Sequence, residues 1–493
     1  MQHRSTRRSP AVVLAAGLML TLTACGARVD STLRQQAADA QLSRGGGALG
    51  STDGGGTGGT GDLSTGTTGT GGTTGTGGTT GTGGSTGGST GTSSRGTTGG
   101  TSGTGGAPAP AGGNGGATDV GVTATSITLG AVADISGPVP GLFKGSVVGA
   151  QAYFAKVNSE GGIFGRQLKL DIGDGQLDCG QNKAQTQARI NRVFAMVGSF
   201  SLYDDCGQEV LSQHPDIPDV HGALGAKSQV AKSNFSPAPL GNGWRTGPLQ
   251  YWKAKFPDRW TKIGAIYANV GTGPDIWAHT KAAIAASGGK VLRDEPYGAT
   301  DTDFTGAVIR MRSAGVQMIY INTTDGATSA RFVNAVKSQN VDWPLVFGAT
   351  AYDANFLKQA GANAEGVYND QQFAMFFNAD EGTRIPEVGT YQKWVTAVDK
   401  RQTKDIFTVY GWSSAQLFVE ALKKAGPKAK RADLMAALRS IDNFDNKILA
   451  PSGPASKRPA VCWLVDQVQK GKYVRIVPPT GFRCDGTYFV DKG

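Results

Sequence analysis

The chain has 493 residues, a formal net charge of +10 and 75 glycines. Its length exceeds what one hydrophobic core normally organises, which excludes a single small domain. The basic residues are scattered along the sequence instead of forming one stripe, so we expect no nucleic-acid partner.

Residues 1–24 have the pattern of an export signal. A basic start precedes an apolar run, residues 11–22, that is too short to span a bilayer as a mature helix. The sequence Leu22-Thr23-Ala24-Cys25 then places a cysteine directly after a small-residue cleavage position and resembles the lipobox of bacterial lipoproteins. This resemblance implies a lipidated Cys25 that anchors the exported protein to the outer face of the cytoplasmic membrane. An ordinary signal peptide with a chance cysteine is the alternative.

A low-complexity segment rich in Gly, Thr and Ser follows at residues 45–117. It holds 33 of the 75 glycines. Because such a segment has little apolar surface to offset its ordering entropy, it is predicted to be disordered. A Gly-rich coil of this length spans roughly 45–50 Å on average. We interpret residues 25–117 as a lipidated cysteine and a disordered tether, and residues 118–493 as the folded part.

The start of the folded part predicts a βαβ unit. Residues 127–132 have the alternating and then apolar pattern of a strand, which Ser136-Gly137-Pro138 breaks. A helix pattern at 145–158 ends at Gly161-Gly162, and alternation at 168–172 predicts a second strand. This order is typical of a parallel sheet, in which small molecules bind beyond the carboxyl ends of the strands.

Strand and helix patterns alternate through the rest of the chain. Apolar runs that predict strands lie at 193–198, 263–268, 316–322 and 345–349. Helix patterns lie at 274–287, at 304–314 with Asp303 as N-cap, at 327–339, at 412–422 and at 434–441. The alternation predicts an α/β fold with mostly parallel sheets and two domains.

Three short motifs in the first βαβ unit carry a family resemblance. They are Ser136-Gly137-Pro138, Gly149-Ala150-Gln151 and Gly161-Gly162-Ile163-Phe164-Gly165-Arg166. Together they resemble the opening of the leucine-isoleucine-valine-binding protein family, the type I solute-binding proteins of ABC importers. The resemblance implies the type I periplasmic-binding-protein fold, with two Rossmann-like lobes joined by a three-crossing hinge. Lobe one would cover 118–246 and 370–453, and lobe two would cover 247–369 and 454–493.

Four cysteines remain if Cys25 is lipidated. An even number in an exported protein predicts disulfides, and four cysteines allow three pairings. Pairing of neighbours, Cys179 with Cys206 and Cys462 with Cys484, is the simplest. The first pair also resembles a disulfide of that family, which joins a cysteine after the second strand to one after the third. The chain has no C-x-x-C spacing and no adjacent histidines, so we expect neither a zinc site nor a redox-active pair.

The loops beyond the predicted strands are the candidate ligand site. The resemblance implies that hydroxyls and backbone N–H groups at Ser199, Ser201 and Ala223 hold a ligand carboxylate. It implies an aromatic residue and an acid on the other lobe, where this chain offers Asp325 and has Gly271-Thr272 in place of the family's Tyr-Gly. The candidate ligand-binding residues are Phe143, Ser199, Phe200, Ser201, Ala223, Leu224, Asn269, Thr272, Thr323, Asp325 and Ala349. As alternatives, Ser199, Ser201 and Asp325 would cap helices, and Phe143 would belong to the core.

No catalytic motif accompanies these residues. The folded part lacks Gly-x-Ser-x-Gly, H-E-x-x-H and P-loop sequences, so we expect a protein that is not an enzyme and needs no cofactor. By resemblance, we expect a monomeric, extracytoplasmic substrate-binding lipoprotein. It would capture a small polar solute, an amino acid or a related amide or organic acid, and deliver it to an ABC importer permease. A lipoprotein ligand sensor of the same fold is the alternative.

Overall fold

The computed structural model describes residues 106–377 and 379–492. The predicted signal peptide, Cys25 and most of the predicted tether lie outside these residues. Within the described ranges, no helix combines the length and the apolar character needed to cross a membrane.

The first sheet has four parallel strands in the order β2-β1-β3-β4. The strands are β1 (Ser126–Ala133), β2 (Gln167–Asp174), β3 (Met196–Val197) and β4 (Asp219–Val220). The helices that follow them are α1 (Lys144–Ser159), α2 (Cys179–Gln187), α3 (Asp204–Leu211) and α4 (Ala226–Val230). β1 and β2 pair in parallel along their whole length with α1 between them in sequence, which confirms the predicted βαβ unit.

The second sheet has seven strands in the order β12-β11-β10-β9-β8-β6-β7. Its strands are β6 (Ile263–Ala268), β7 (Val291–Tyr297), β8 (Met318–Ile321), β9 (Leu345–Phe347), β10 (Tyr368–Gln371), β11 (Leu464–Gln469) and β12 (Lys472–Val477). The pairs from β10 to β12 are antiparallel and the others are parallel. A two-stranded antiparallel ribbon joins β5 (Gly243–Arg245) to β13 (Tyr488–Val490). The fold is therefore α/β with mostly parallel sheets, as predicted.

The remaining helices alternate with these strands or follow them. They are α5 (Thr246–Lys255), α6 (Gly273–Ala286), α7 (Thr305–Ser313), α8 (Gly326–Ser338), α9 (Ala354–Ala360), α10 (Ala379–Arg384), α11 (Pro386–Val398), α12 (Ile406–Ala425) and α13 (Arg431–Arg439). One capping prediction is wrong by a residue. Phe304 occupies the N-cap position of α7, while the Asp303 carboxylate accepts a hydrogen bond from the Thr305 N–H at 2.8 Å.

Helices α1 and α12 pack with unusually close backbones. A Cβ atom at Gly149 would lie 2.1 Å from the Thr408 carbonyl oxygen, and one at Gly411 would lie 1.7 Å from the Ser146 carbonyl oxygen. Only glycine fits at such distances. The Gly149-Ala150-Gln151 motif therefore has a packing role, because it lets a helix from late in the chain lie on the helix of the first βαβ unit.

The segment 106–117 lies against the folded part, although the sequence analysis assigned it to the tether. Ala107 forms a bridge to Ile163. The Arg166 guanidinium donates to the carbonyl oxygens of Asn114 and Gly116 at 2.6 and 2.8 Å. The glycine-rich composition does not predict these contacts, because they are made by backbone carbonyls and not by apolar side chains.

Two disulfides join the pairs of neighbouring cysteines. Cys179–Cys206 ties the start of α2 to α3 with a Cα–Cα distance of 5.5 Å. Cys462–Cys484 joins the segment before β11 to the segment before β13, at 4.0 Å. Both predicted pairings are confirmed. The described residues contain no cluster of three or more potential metal ligands.

Candidate functional site

The carboxyl ends of strands from both large sheets face one cavity of about 160 Å³. Residues just beyond β1, β2, β3 and β4 form one wall, and residues just beyond β6, β7, β8 and β9 form the other. In open α/β sheets this edge is where ligands bind, because the loops there are free to vary while the strands hold them in place. The cavity is therefore the candidate functional site.

Aromatic side chains pack together on the wall from the four-stranded sheet. Phe143 contacts Phe200 and Phe407 edge to face, with ring centroids 4.9 and 4.7 Å apart. Tyr410 stacks on Phe200 at 5.5 Å, and its hydroxyl accepts a hydrogen bond from Gln372 Nε2 at 3.0 Å. All five residues line the cavity. Each ring in this wall therefore packs against at least one other ring.

Hydroxyl and amide groups line the opposite wall, beyond β8 and β9. The Thr324 hydroxyl lies 2.8 Å from that of Thr350 and 2.9 Å from that of Ser329. Asn322 Nδ2 donates to the Thr280 hydroxyl at 2.6 Å. These groups mostly bond to one another, so the polar wall is held in place by its own hydrogen bonds.

Asp325 lies on the same wall and is the N-cap of α8. Its Oδ1 accepts hydrogen bonds from the backbone N–H groups of Ala327 and Thr328 at 2.8 and 2.9 Å, and its Oδ2 accepts from the Thr328 hydroxyl at 2.6 Å. A carboxylate at a helix N-terminus is stabilised by the unpaired N–H groups and by the helix dipole. The capping alternative for Asp325 is therefore confirmed, and the residue also lines the cavity.

Arg245 lines the cavity from strand β5 and is almost fully buried. Its Nη2 forms an ion pair of 2.9 Å with Oδ1 of Asp370, which has no exposed surface. Asp370 also accepts a hydrogen bond from Trp252 Nε1 at 2.9 Å. Burial raises the pKa of Asp370, and the Arg245 guanidinium opposes that rise. The guanidinium also lies over the Trp244 ring, 4.8 Å from its centroid.

The loops beyond β3 and β6 meet beside the cavity. The Thr272 N–H donates to the Leu202 carbonyl oxygen at 3.0 Å. Gly271 has a φ of 49°, and a Cβ atom there would lie 2.2 Å from the same oxygen. The absence of a side chain at Gly271 thus permits the direct backbone contact between loops from the two sheets.

Six of the eleven candidate residues from the sequence line this cavity. They are Phe143, Phe200, Leu224, Thr323, Asp325 and Ala349. The other five lie outside the lining, namely Ser199, Ser201, Ala223, Asn269 and Thr272. A ligand role for any of the eleven stays a prediction.

Ser199 and Ser201 face away from the cavity because the chain beyond β3 is extended and alternates. Phe200 bridges to Ala133 in parallel and points into the cavity. Ser199 Oγ accepts a hydrogen bond from the Val132 N–H at 3.1 Å, and Ser201 Oγ accepts one from the Tyr203 N–H at 2.9 Å. Both hydroxyls are therefore used inside the protein.

A buried ionic cluster lies behind these serines. His221 Nδ1 is 2.7 Å from Asp219 Oδ1, and its Nε2 is 3.7 Å from Asp204 Oδ2. Burial works to lower the pKa of His221, but the two carboxylates outweigh it and raise the pKa to about 10. Asp204 also accepts hydrogen bonds from the N–H groups of Leu224 and Gly225. The cluster is structural, since it holds Leu224 against the cavity.

Several lining residues were not found in the sequence analysis. They include Trp244, Arg245, Gln372, Phe407 and Tyr410. Asn322 also lines the cavity, and it lies where the predicted strand 316–322 passes into one of the candidate ligand loops. Trp244 and Arg245 belong to a three-residue strand, and Phe407 and Tyr410 lie at the start of a helix packed on α1. No local pattern marks residues that reach the site only through long-range packing.

The fold and the cavity define a class of protein that encloses a small molecule at the facing edges of two α/β sheets. The family model described as "Periplasmic binding protein" matches residues 126–472. The chain therefore belongs to the periplasmic binding proteins, and it is of the leucine-isoleucine-valine-binding type that its opening motifs resemble.

Two curated relatives cover about two thirds of the chain. The Leu/Ile/Val-binding protein homolog 3 of Brucella melitensis is 22% identical over 326 residues, which is 63% of this chain and 83% of that protein. The leucine-, isoleucine-, valine-, threonine-, and alanine-binding protein of Pseudomonas aeruginosa is 24% identical over 348 residues, 65% of this chain and 83% of that protein.

Two solved structures share the fold. A fatty acid ABC transporter substrate-binding protein from Thermomonospora curvata has a TM-score of 0.62 and 20% identity, covering 76% of this chain and 95% of that chain. An ABC transporter solute-binding protein from R. palustris in complex with benzoate has a TM-score of 0.60 and 19% identity. The match covers 74% of this chain and 98% of that chain. At this identity the likeness shows the architecture alone.

Proposed function

We propose that this protein is an extracytoplasmic substrate-binding lipoprotein that captures a small solute in the cavity and delivers it to an ABC importer. It has no catalytic role, and Cys25 carries the lipid that keeps it at the membrane surface. The proposal follows from membership of the family and from the relatives named as binding proteins of amino acids, fatty acids or benzoate.

The observation that carries the proposal is the position of the cavity between the strand ends of two sheets. A ligand there touches both walls, so it binds the state in which the walls are close more tightly than a state in which they are apart. Only such a difference in affinity can shift the population of the two states. A permease that recognises the closed state would then receive loaded protein in preference to empty protein.

Uptake by cells tests this function. A thermal-shift screen of the purified mature chain against a panel of small metabolites first identifies a ligand. Uptake of that ligand, labelled, is then compared in cells with the gene and in cells from which it has been deleted. We expect deletion to abolish high-affinity uptake and the wild-type gene to restore it.

Two tryptophan variants in neighbouring positions supply the matched comparison. Ala299→Trp places a large ring at the cavity lining, so it should fail to restore uptake. Thr300→Trp adds the same ring at an exposed position outside the lining, so it should restore uptake fully. Binding in vitro with unchanged uptake after deletion would contradict the transport role and favour a sensor.

A further inference from the structure

Apolar surface dominates the cavity. Of its 28 lining residues, 18 have aliphatic or aromatic side chains, and the aromatic group around Phe143 and Phe200 forms a continuous part of one wall. Apolar surface favours ligands that also lose apolar area from water, at about 25 cal/mol per Å². A ligand that fits this wall must therefore present a hydrocarbon face.

The charged side chains of the lining are already compensated within the protein. Arg245 is paired with buried Asp370. Asp325 is used as the N-cap of α8 and accepts three hydrogen bonds. These two are the only ionisable acid and base among the lining residues that the structure describes, tyrosine aside. A charged group on the ligand would thus find no uncompensated opposite charge in the lining, which makes its burial unfavourable.

One buried donor and one buried acceptor in the lining lack partners. Arg245 Nε is buried with no hydrogen-bond partner, and so is Asn322 Oδ1. The orientation of the Asn322 amide follows from Thr280. Because the Thr280 hydroxyl donates to the Ile276 carbonyl oxygen at 2.9 Å, it must accept from Asn322 Nδ2, which leaves Oδ1 as the free acceptor. A buried polar atom without a partner is costly, so a ligand group that reached either atom from the cavity would be stabilised by a new hydrogen bond.

The volume of the cavity indicates the size of the ligand part that it can hold. Its volume of about 160 Å³ is close to that of an engineered apolar cavity of about 150 Å³ that binds benzene. One six-membered ring, or a branched chain of similar size, with a short polar substituent is the expected occupant.

We propose that the ligand is a small, mainly apolar and uncharged molecule with a polar group that can donate and accept hydrogen bonds, such as a hydroxyl or a carboxamide. This inference rests on the proposed function and names its substrate class. It departs from the amino acids and organic acids that the family resemblance implies, because the charges of Arg245 and Asp325 are already compensated within the protein and leave no unpaired charge for a carboxylate or an ammonium.

Calorimetry with four probes on one ring tests the charge requirement. The probes are benzyl alcohol, benzoate, benzylammonium and phenylglycine, each titrated into the purified mature chain at pH 7. A second pair, 3-methylbutan-1-ol and leucine, repeats the comparison on a branched chain. We expect each alcohol to bind at least tenfold more tightly than every charged probe of its series.

Three variants locate the binding. Ala299→Trp should abolish binding of the alcohols and Thr300→Trp should leave it unchanged. Asn322→Ala removes the free acceptor and should weaken alcohol binding about tenfold, with circular dichroism confirming the fold. Should Asn322→Ala not fold, the tryptophan pair still decides whether the probes occupy this cavity.

Leucine, phenylglycine or benzoate binding as tightly as the matching alcohol would overturn the proposal. So would the absence of binding by every probe at millimolar concentration, or equal binding by Ala299→Trp and wild type. These outcomes are distinct from failure of the transport role, which would leave the ranking of the probes intact and show itself as ligand binding without cellular uptake.

Discussion

Asp134 connects the first βαβ unit to two parts of the cavity wall. Its carboxylate accepts hydrogen bonds from the backbone N–H groups of Leu177 and Leu202, at 3.1 and 3.3 Å. Both leucines line the cavity, whereas Asp134 itself is fully buried behind them. Burial raises its pKa from 3.8 to about 6, against the hydrogen bonds from Ser201, Leu177 and Leu202 that lower it.

This raised pKa predicts a dependence of stability on pH. Between about pH 4 and pH 6 the folded protein binds the Asp134 proton more tightly than the unfolded chain does. The contribution of Asp134 to the free energy of unfolding therefore falls as pH rises through this window, by roughly 2–3 kcal/mol. Position 134 does not titrate in Asp134→Asn. The difference in free energy of unfolding, variant minus wild type, should therefore rise by about this amount between pH 4 and pH 6.

Urea unfolding of wild type and Asp134→Asn at pH 4, 5, 6 and 7 measures the effect. Other buried acids with raised pKa values, such as Asp405 and Asp466, are present in both proteins and cancel in the difference. A difference between the two proteins that stays constant over this range would contradict the prediction.

At the scale of elements, the contact between the loops beyond β3 and β6 predicts an effect on affinity. Gly271→Ala would place a methyl group 2.2 Å from the Leu202 carbonyl oxygen, so the loops must separate. We expect ligand affinity to fall about tenfold, which corresponds to about 1.4 kcal/mol. Calorimetry with a ligand identified by the thermal-shift screen is the measurement.

Gly426→Ala is the matched control for this variant. Gly426 also has a positive φ, of 89°, but a Cβ atom there would meet nothing within 4 Å. Its φ of 89° and ψ of 177° are a conformation that essentially only glycine adopts, so Gly426→Ala carries backbone strain without the loop contact. Equal loss of affinity in both variants would show that strain, and not the contact between the loops, is responsible.

The Cys179–Cys206 disulfide joins α2 and α3, whose preceding loops carry Leu177 and Leu202. A bond that closes a loop of 27 residues is expected to stabilise the fold by about 3 kcal/mol in the chain-entropy model. The double variant Cys179→Ala/Cys206→Ala should lose about this free energy of unfolding, measured by urea denaturation. The Cys462→Ala/Cys484→Ala double variant is the comparison. If the Cys179→Ala/Cys206→Ala variant loses less than about 1 kcal/mol of its free energy of unfolding, the expectation is contradicted.

The sequence predicted those elements whose patterns are local. The strand at Ile263–Ala268 and the helices α1, α6, α7 and α8 lie within two residues of their predicted bounds, because their periodicity and their Gly, Pro and Asp signals are local. The pairing of β10 with β11 was not predicted, since Asn369 and Asp466 are 97 residues apart. The residues that line the cavity were harder to predict, because their positions also depend on contacts between distant parts of the chain. Loop positions follow from strand ends, but which side chain of Ser199, Phe200 and Ser201 faces the cavity depends on a register that only the folded sheet sets.

At the scale of the whole molecule, the proposed lipidation of Cys25 predicts where the protein resides. Two acyl chains contribute about 0.8 kcal/mol per buried methylene, enough to hold a soluble domain at a membrane. Cys25→Ser should therefore move the mature protein from the membrane fraction to the soluble fraction of lysed cells. Immunoblots of both fractions, with wild type beside the variant, measure this. Retention of the variant with membranes would show that something other than the lipid anchors it.

The ribbon of β5 and β13 has a consequence for biosynthesis. The Tyr488 hydroxyl donates to the carbonyl oxygen of Leu240, a cavity residue that lies 248 positions earlier. During export the chain emerges from its amino end, so Leu240 reaches the far side of the membrane long before its partner does. Nascent chains that lack only the residues from Tyr488 onward would carry every cavity residue, from Val139 to Tyr410, yet lack this support for the wall. The wall beside Leu240 should thus be completed only when the end of the chain has been exported.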